Sequence, residues 1–458
     1  MTGFRKETDS LGTVQVPEEA YYGPQTQRAV DNFPISGLVF PPAFIHALAR
    51  IKKNAAQVNA NLGLIEKDKS QAISQAAQEI LEGKLNDQFV VDIFQTGSGT
   101  STNMNMNEVL ASRANELITG KRGGKTPVHP NDHVNLGQSS NDVIPSALHI
   151  AAMSLMDNRL IPSLKLLYRT LVEKASEFND IQKIGRTHLQ DAIPMTLGEE
   201  FSGYARQIEL SIQRLHGGQD RLSELALGGT AVGNGVNTHP EFSRRVIALI
   251  SSETQLPFKK AVNHFEAQAA QDAVVETSST LRTIAVSLVK IANDLRWLAS
   301  GPRCGLGEIN IPSLQPGSSI MPGKINPVLP EMVIQVAFQV MGNDATIMLG
   351  GQSGNFELNV TLPVMAYNFL QSIELVSSAI SVFSEKCVAG ITANRETCAS
   401  YIEKSLALAT GLVPHMGYDR AAAVAKKAYE TGKTIREIVL EDKIIPKTQI
   451  DEILYKGR

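Results

Sequence analysis

The chain predicts a mainly α-helical fold, on three observations. From Phe265 to Ser300 there are 36 residues with neither glycine nor proline. Within that run Leu281, Ile284, Leu288, Ile291, Leu295 and Leu298 step by three and four, which places them on one apolar helical face. No glycine stands between Gly137 and Gly185, where Leu164, Leu167 and Leu171 keep the same period. A helix as long as the first run spans about 54 Å at 1.5 Å per residue. That exceeds an ordinary globular helix and calls for a bundle of long helices.

Taken in order, the first 40 residues carry Pro17, Gly23, Pro24, Pro34 and Gly37 and read as irregular, with one short strand at Gly12–Pro17. Alanine and aliphatic side chains at helical spacing then predict helices at Ala43–Leu62 and Lys67–Leu81. A polar, glycine-bearing loop is expected over Gln95–Asn107, a helix around Glu108–Leu117 and a basic loop at Lys121–Lys125. Pro162 marks a kink or restart. The glycines and proline of Gly301–Gly305 stop the long helix. Further helices fit Glu331–Met341 and Met365–Ser384, and shorter amphipathic pieces follow at Asn394–Leu408, Arg420–Thr431 and Thr434–Leu440. These divide the chain into a mixed, mostly helical N-terminal domain (1–137), a central long-helix bundle (138–392) and a small C-terminal helical domain (393–458). Helices of this length present more apolar surface than one copy covers, so a homo-oligomer is expected.

Composition narrows the function. The 458 residues carry 43 basic and 46 acidic side chains, a near balance that offers no field for nucleic acid. No run of eighteen apolar residues and no basic-then-apolar opening appears, so neither a membrane span nor a leader is expected and a cytoplasmic location is. Three cysteines, Cys304, Cys387 and Cys398, are too few and too scattered for a disulfide framework or a zinc site.

Four polar loops interrupt the helices. Residues 316–327 hold three prolines and two glycines beside Ser318, Ser319, Lys324 and Asn326. Proline and glycine rule out a regular element, and an ammonium, an amide and free backbone N–H groups suit a loop closing over an anion. Gln95 to Thr100 places Ser98, Gly99 and Thr100 ahead of a helix, where N–H groups are free to meet an anion. His129, Pro130, Asn131, Asp132 and His133 precede Ser139, Ser140 and Asn141. The two histidines invite a zinc reading, but the proline suits a turn and no glutamate follows His129. Gly185 to Asp191 carries Thr187 and His188 in a glycine-started turn between helices, and imidazole is the side chain best matched to proton transfer near neutrality. Gly228 to Thr230, Gly233 to Gly235 and Gly120 to Thr126 lack the context of nucleotide loops and read as turns.

The run Gly317 to Asn326 resembles the signature loop of the fumarase/aspartase superfamily, whose members add or remove a small group across a C–C bond beside a carboxylate. The other three loops resemble the remaining site segments of that superfamily, and the matches extend from Tyr21 to Arg420. Gly323, Thr96 and Ser98 follow the class II fumarase pattern, which fits best, while Ser101 and Thr102 lean toward aspartase. The resemblance implies a three-domain fold whose long helices form a tetrameric superbundle, with pockets shared between subunits. It implies reversible hydration of fumarate to L-malate through an aci-carboxylate, the tricarboxylic acid cycle reaction, with no metal and no cofactor. Aspartate ammonia-lyase and a non-catalytic helical scaffold are the alternatives.

By the same resemblance Ser98, Gly99, Thr100, Ser139, Ser140, Asn141, Thr187, Ser319, Lys324, Ile325 and Asn326 bind the dicarboxylate. His188 and Glu331 act as a pair on the proton path, and Lys324 stabilises charge. Chemistry alone nominates His188 as the carbon base, whereas the resemblance assigns that role to Ser318. His129, Pro130, Asn131 and Asp132 correspond to a secondary anion pocket, in which Thr126 stands where the family often has arginine.

Overall fold

Helices dominate residues 3–455, the part of the chain that the computed structural model describes. Strands among the described residues occur only as five two-stranded pairings. The mainly α-helical expectation is therefore met. The chain divides into two compact units. One comprises the chain up to Pro162 with Ile212–Ala285 and Val336–Ser377; the other comprises Ser163–Ser211, Val286–Gln335 and the chain from Ser378.

The first unit opens with a hairpin pairing Phe4–Asp9 antiparallel to Gly12–Pro17. Only the second strand is legible in the sequence, because Phe4–Asp9 is mostly charged and alternates between exposed and half-buried. Arg5 ties the hairpin to the chain that follows, donating to the carbonyls of Pro17 and Tyr22 at 2.9 and 2.8 Å. A helix unforeseen in the sequence then runs over Pro24–Asn32. Proline suits its first turn, where the missing N–H has no helical partner. Its other N–H groups find theirs from afar: Glu108 accepts from the backbone of Gly23, Gln25 and Thr26 and from the Thr26 hydroxyl, at 2.6–3.0 Å. Helices Pro42–Asn61 and Lys67–Leu81 appear almost where periodicity puts them, with Phe44, Leu48, Ile51 and Ile73 fully buried.

Two expectations fail here. The polar stretch after Gln95 is not a loop to Asn107, since a helix spans Thr100–Thr119 and buries Asn103, Asn105 and Asn107. Amides that satisfy one another inside a protein cannot be told from loop amides by polarity alone. The long run is also not one helix. His264–Ala269 forms a short helix capped by the Asn263 side chain, Ala270 turns extended, and the helix restarts at Asp272 and ends at Leu298. Buried Gln268 donates to the Thr230 carbonyl at 2.8 Å beside this break. The restarted helix has 27 residues, about 40 Å. Its predicted apolar seam is buried at all six positions.

The second unit contains a hairpin, Gln182–Thr187 paired with Gln190–Thr196, and a set of short C-terminal helices. Arg395–Lys404, Tyr418–Thr431, Ile435–Glu441 and Ile450–Tyr455 close around Ile184, Leu408, Leu412, Ile438 and Leu454. Thr434 and Glu437 form a reciprocal capping box at the start of one of them.

Candidate active site

In the first unit, two helix N-termini carry the predicted binding residues. Gly99 caps Thr100–Thr119 at φ 73°, a left-handed conformation that glycine adopts without penalty. A Cβ on it would meet Ile144, of the helix Ser140–Leu155, at 2.9 Å, so the two helix starts are packed together. Ser98 is buried, and its hydroxyl lies 2.8 Å from that of Thr100. At the second start, Ser139 and Asp142 form a capping box: the Ser139 N–H donates to Asp142 Oδ1 at 2.9 Å, and Ser139 Oγ accepts from the Asn141 N–H at 3.2 Å. Asn141 Nδ2 donates to the Ala231 carbonyl at 2.8 Å.

Asp142 also accepts from the N–H groups of Gly228 and Thr230 at 2.9 and 3.0 Å. The glycine turn read from the sequence thus holds the second loop's anchor. Burial pushes the Asp142 carboxyl up to about 6, against those donors and the nearby charge of Lys52. Lys52, equally buried, is pushed down to about 7 by desolvation, with Asp142 pulling the other way. Lys52 donates to Asn135 Oδ1 at 2.9 Å, and that oxygen also accepts from Asn103 and Asn107. None of these four residues was singled out from the sequence. Asparagines at alternate positions within one helix are the one signal that pointed to them.

The second unit holds the remaining predicted residues of the main site. Thr187 and His188 are exposed; the segment does lie between two helices, Ile161–Glu177 and Leu197–Leu222, but its turn is the tip of a β-hairpin, Gln182–Thr196. His188 and Leu189 form its two-residue turn at φ 57° and 59°, the left-handed pair that tight hairpins require. Holding two non-glycine residues there costs roughly 1–2 kcal/mol each. The strand beneath is held by charge: Arg186 makes a bidentate pair with fully buried Glu308 at 2.9 Å on both sides, and Lys183 reaches Glu200 at 2.7 Å and Glu308 at 3.5 Å. This anchor was missed in the sequence, where Glu308 is one acid among many.

The segment around Ser318 closes on itself. The Gly317 N–H donates to the Lys324 carbonyl at 2.9 Å, and the Asn326 amide donates to the Gly317 carbonyl. A Cβ at Gly317 would lie 2.2 Å from the Lys324 carbonyl, so only glycine fits. Ser318 Oγ accepts from the N–H groups of Ile320 and Met321 at 3.3 and 3.0 Å. Two such donors favour the ionised form of a hydroxyl. Ser319, Lys324 and Ile325 are exposed. Glu331 lies half-buried in the first turn of the helix Val328–Gly351. Among the described residues, His188 has no hydrogen-bond or ion-pair partner, so one chain does not join it to Glu331.

The predicted secondary pocket folds as a single wide turn over Pro130–Val134. His129 Nδ1 accepts from the N–H groups of Asn131 and Asp132 at 3.1 and 3.2 Å, and the His129 N–H donates to His133 Nδ1 at 2.8 Å. Asn131 and Asp132 are exposed, and Pro130 is buried.

A helical fold whose site loops lie at helix starts and turns defines a lyase: residues 12–342 match the family described as lyase, and residues 408–456 match the fumarase C C-terminus. The chain is 54% identical over 451 residues to the class II fumarate hydratase of Nitrosomonas europaea, covering 98% of each. It is 55% identical to that of Halobacterium salinarum, over 98% of this chain and 96% of the relative. The crystal structure of class II fumarase from Schistosoma mansoni superposes with a TM-score of 0.96 at 41% identity, covering 99% of this chain and 98% of that one. The chain belongs to the class II fumarate hydratase family.

Proposed function

We infer that the chain catalyses the reversible hydration of fumarate to L-malate. The observation that carries this reading is full-length membership of the class II fumarate hydratase family. The substrate is a small dicarboxylate, and the two packed helix N-termini that present Ser98, Thr100, Ser139, Ser140 and Asn141 suit one of its carboxylates. Thr187, Ser319, Lys324, Ile325 and Asn326 complete the binding set.

In the dehydration direction, Ser318 as alkoxide takes the proton from the carbon beside one carboxylate. The electron pair moves onto that carboxylate, giving an aci-carboxylate whose added charge Lys324 and Asn326 stabilise. The pair then forms the C=C bond, and hydroxide leaves from the neighbouring carbon with a proton from His188, as water. Glu331 supports the imidazolium, and the N–H groups of Ile320 and Met321 lower the cost of ionising Ser318. Charge is carried throughout by an ammonium, an amide and backbone donors, so the reaction as proposed is metal-independent and needs no cofactor. Purified protein given L-malate or L-aspartate, with chelator present, tests this: fumarate released from malate supports it, and fumarate released only from aspartate replaces it with the ammonia-lyase reading.

The working form proposed is a homotetramer with pockets shared between copies. Supporting this, Phe338, Met348 and Leu349 of the apolar helix Val328–Gly351 are 52–60% exposed, as are Val286 and Trp297 at 54 and 55%. His188 also lacks its carboxylate partner in its own chain. Mixing inactive His188→Ala and Ser318→Ala proteins should restore activity after subunit exchange, and no recovery despite proven exchange would refute shared pockets. His129, Pro130, Asn131 and Asp132 are proposed as a secondary anion site. Three free cysteines fit a cytoplasmic location.

A further inference from the structure

Ser140 can offer the substrate either a proton or a lone pair, and nothing in its own chemistry decides which. The decision is traceable through the buried amides behind it. Lys52 is fully buried, and its Nζ donates to Asn135 Oδ1 at 2.9 Å, an amide oxygen that can only accept. The other half of the Asn135 amide is fixed independently, because its Nδ2 donates to the Gln138 carbonyl at 3.2 Å. With that oxygen turned inward, Asn103 and Asn107 must present NH₂ groups to it, at 3.2 and 3.1 Å. Their own oxygens are left buried without a hydrogen-bond partner among the described residues. The second hydrogen of the Asn103 NH₂ goes to Ser140 Oγ at 3.1 Å. Ser140 is thereby an acceptor on its protein side. Among the described residues, no acceptor takes up its hydroxyl hydrogen.

We propose that Lys52 and Asn103 are positioning residues which, through Asn135, fix the polarity of the Ser140 hydroxyl so that its proton is offered to the substrate's oxygen atoms. This rests on the reading of Ser140 as a substrate ligand.

Steady-state fumarate formation from L-malate tests this with Asn103→Asp, Lys52→Met and Ser140→Ala, each alone and each of the first two combined with the third. An aspartate at 103 has no proton to give, so Ser140 must turn its hydroxyl inward. A hydrogen bond to a charged carboxylate is lost in both Ser140→Ala and Asn103→Asp, so KM should rise about 10- to 100-fold in each, with a smaller change in kcat. Lys52→Met should raise KM in the same sense. In the Ser140→Ala background neither Asn103→Asp nor Lys52→Met should add a further loss. Should one of these two variants fail to fold, the other still decides. An unchanged KM in Ser140→Ala overturns the ligand role and this inference with it. A raised KM in Ser140→Ala, with Asn103→Asp and Lys52→Met at the wild-type value or multiplying with it, leaves the ligand role standing and overturns the control of hydroxyl polarity.

Discussion

The cradle around Ser98, Thr100 and Ser139 to Asn141 and the turns that carry His188 and Lys324 are built on opposite principles. In the cradle the polar groups are packed from behind: two helix starts in contact, a reciprocal cap, and buried amides linked from Lys52 through Asn135 to Ser140. The turns are exposed at their tips and rigid only at their roots, through the Arg186–Glu308 pair in one and the Gly317–Lys324 closure in the other. Groups that bind can be fixed within one chain. Groups proposed to move protons are held out on short, exposed arms.

Four measurements would break or sharpen that contrast. The largest effect is expected on the arms: His188→Ala should lower kcat about 10²–10⁴-fold, the range lost with a general acid–base group, while the melting temperature stays within a degree or two because the side chain is exposed and unpartnered. A comparable loss of folding would mean the arm is structural. Next is the root. Glu308→Ala leaves Arg186 without its buried counter-charge and Lys183 with Glu200 alone, and should destabilise the second unit by about 3–5 kcal/mol, measured by denaturant unfolding. Activity should fall with it as the hairpin loosens.

The third measurement probes the cradle through pH. Lys52 titrates near 7 in the folded protein and near 10.5 when unfolded. Between those values the unfolded chain holds the extra proton, so this residue makes stability rise with pH across that window. In Lys52→Met that rise should be absent, and identical pH–stability curves would show that Lys52 keeps an ordinary affinity for its proton. The smallest effect is at the hairpin tip. Leu189→Gly removes a left-handed strain of roughly 1–2 kcal/mol and offsets part of it by loosening the unfolded chain, for a net gain of about 1 kcal/mol in a thermal melt. A loss instead would mean that this exposed leucine is covered by another copy.

Much of this architecture is readable in the residues because its signals are local. Helical periodicity places Pro42–Asn61, Lys67–Leu81 and the seam from Leu281 to Leu298, and the four polar loops announce themselves by composition. What escaped is decided by partners distant in sequence. The break before Asp272 has no proline or glycine at it and lies where Gln268 reaches Thr230. The Thr100–Thr119 helix is disguised by inward amides whose partners are Asn135, Ser140 and the Gln88 carbonyl. The hairpin under His188 looks like a linker because its staple, Glu308, lies 122 positions away. The proposed binding residues stand out in the sequence, whereas the residues packed behind them do not.

The carboxylate of Glu108 gives the N-terminal segment an importance its position would not suggest. Glu108 belongs to the same helix as Thr100 and Asn103, and its carboxyl, pushed up by burial, is held by N–H groups from Gly23 to Thr26. Trimming the chain past that point would strand a buried carboxyl in the wall of the proposed cradle, so shortened versions made for crystallisation or fusion should begin before Tyr22.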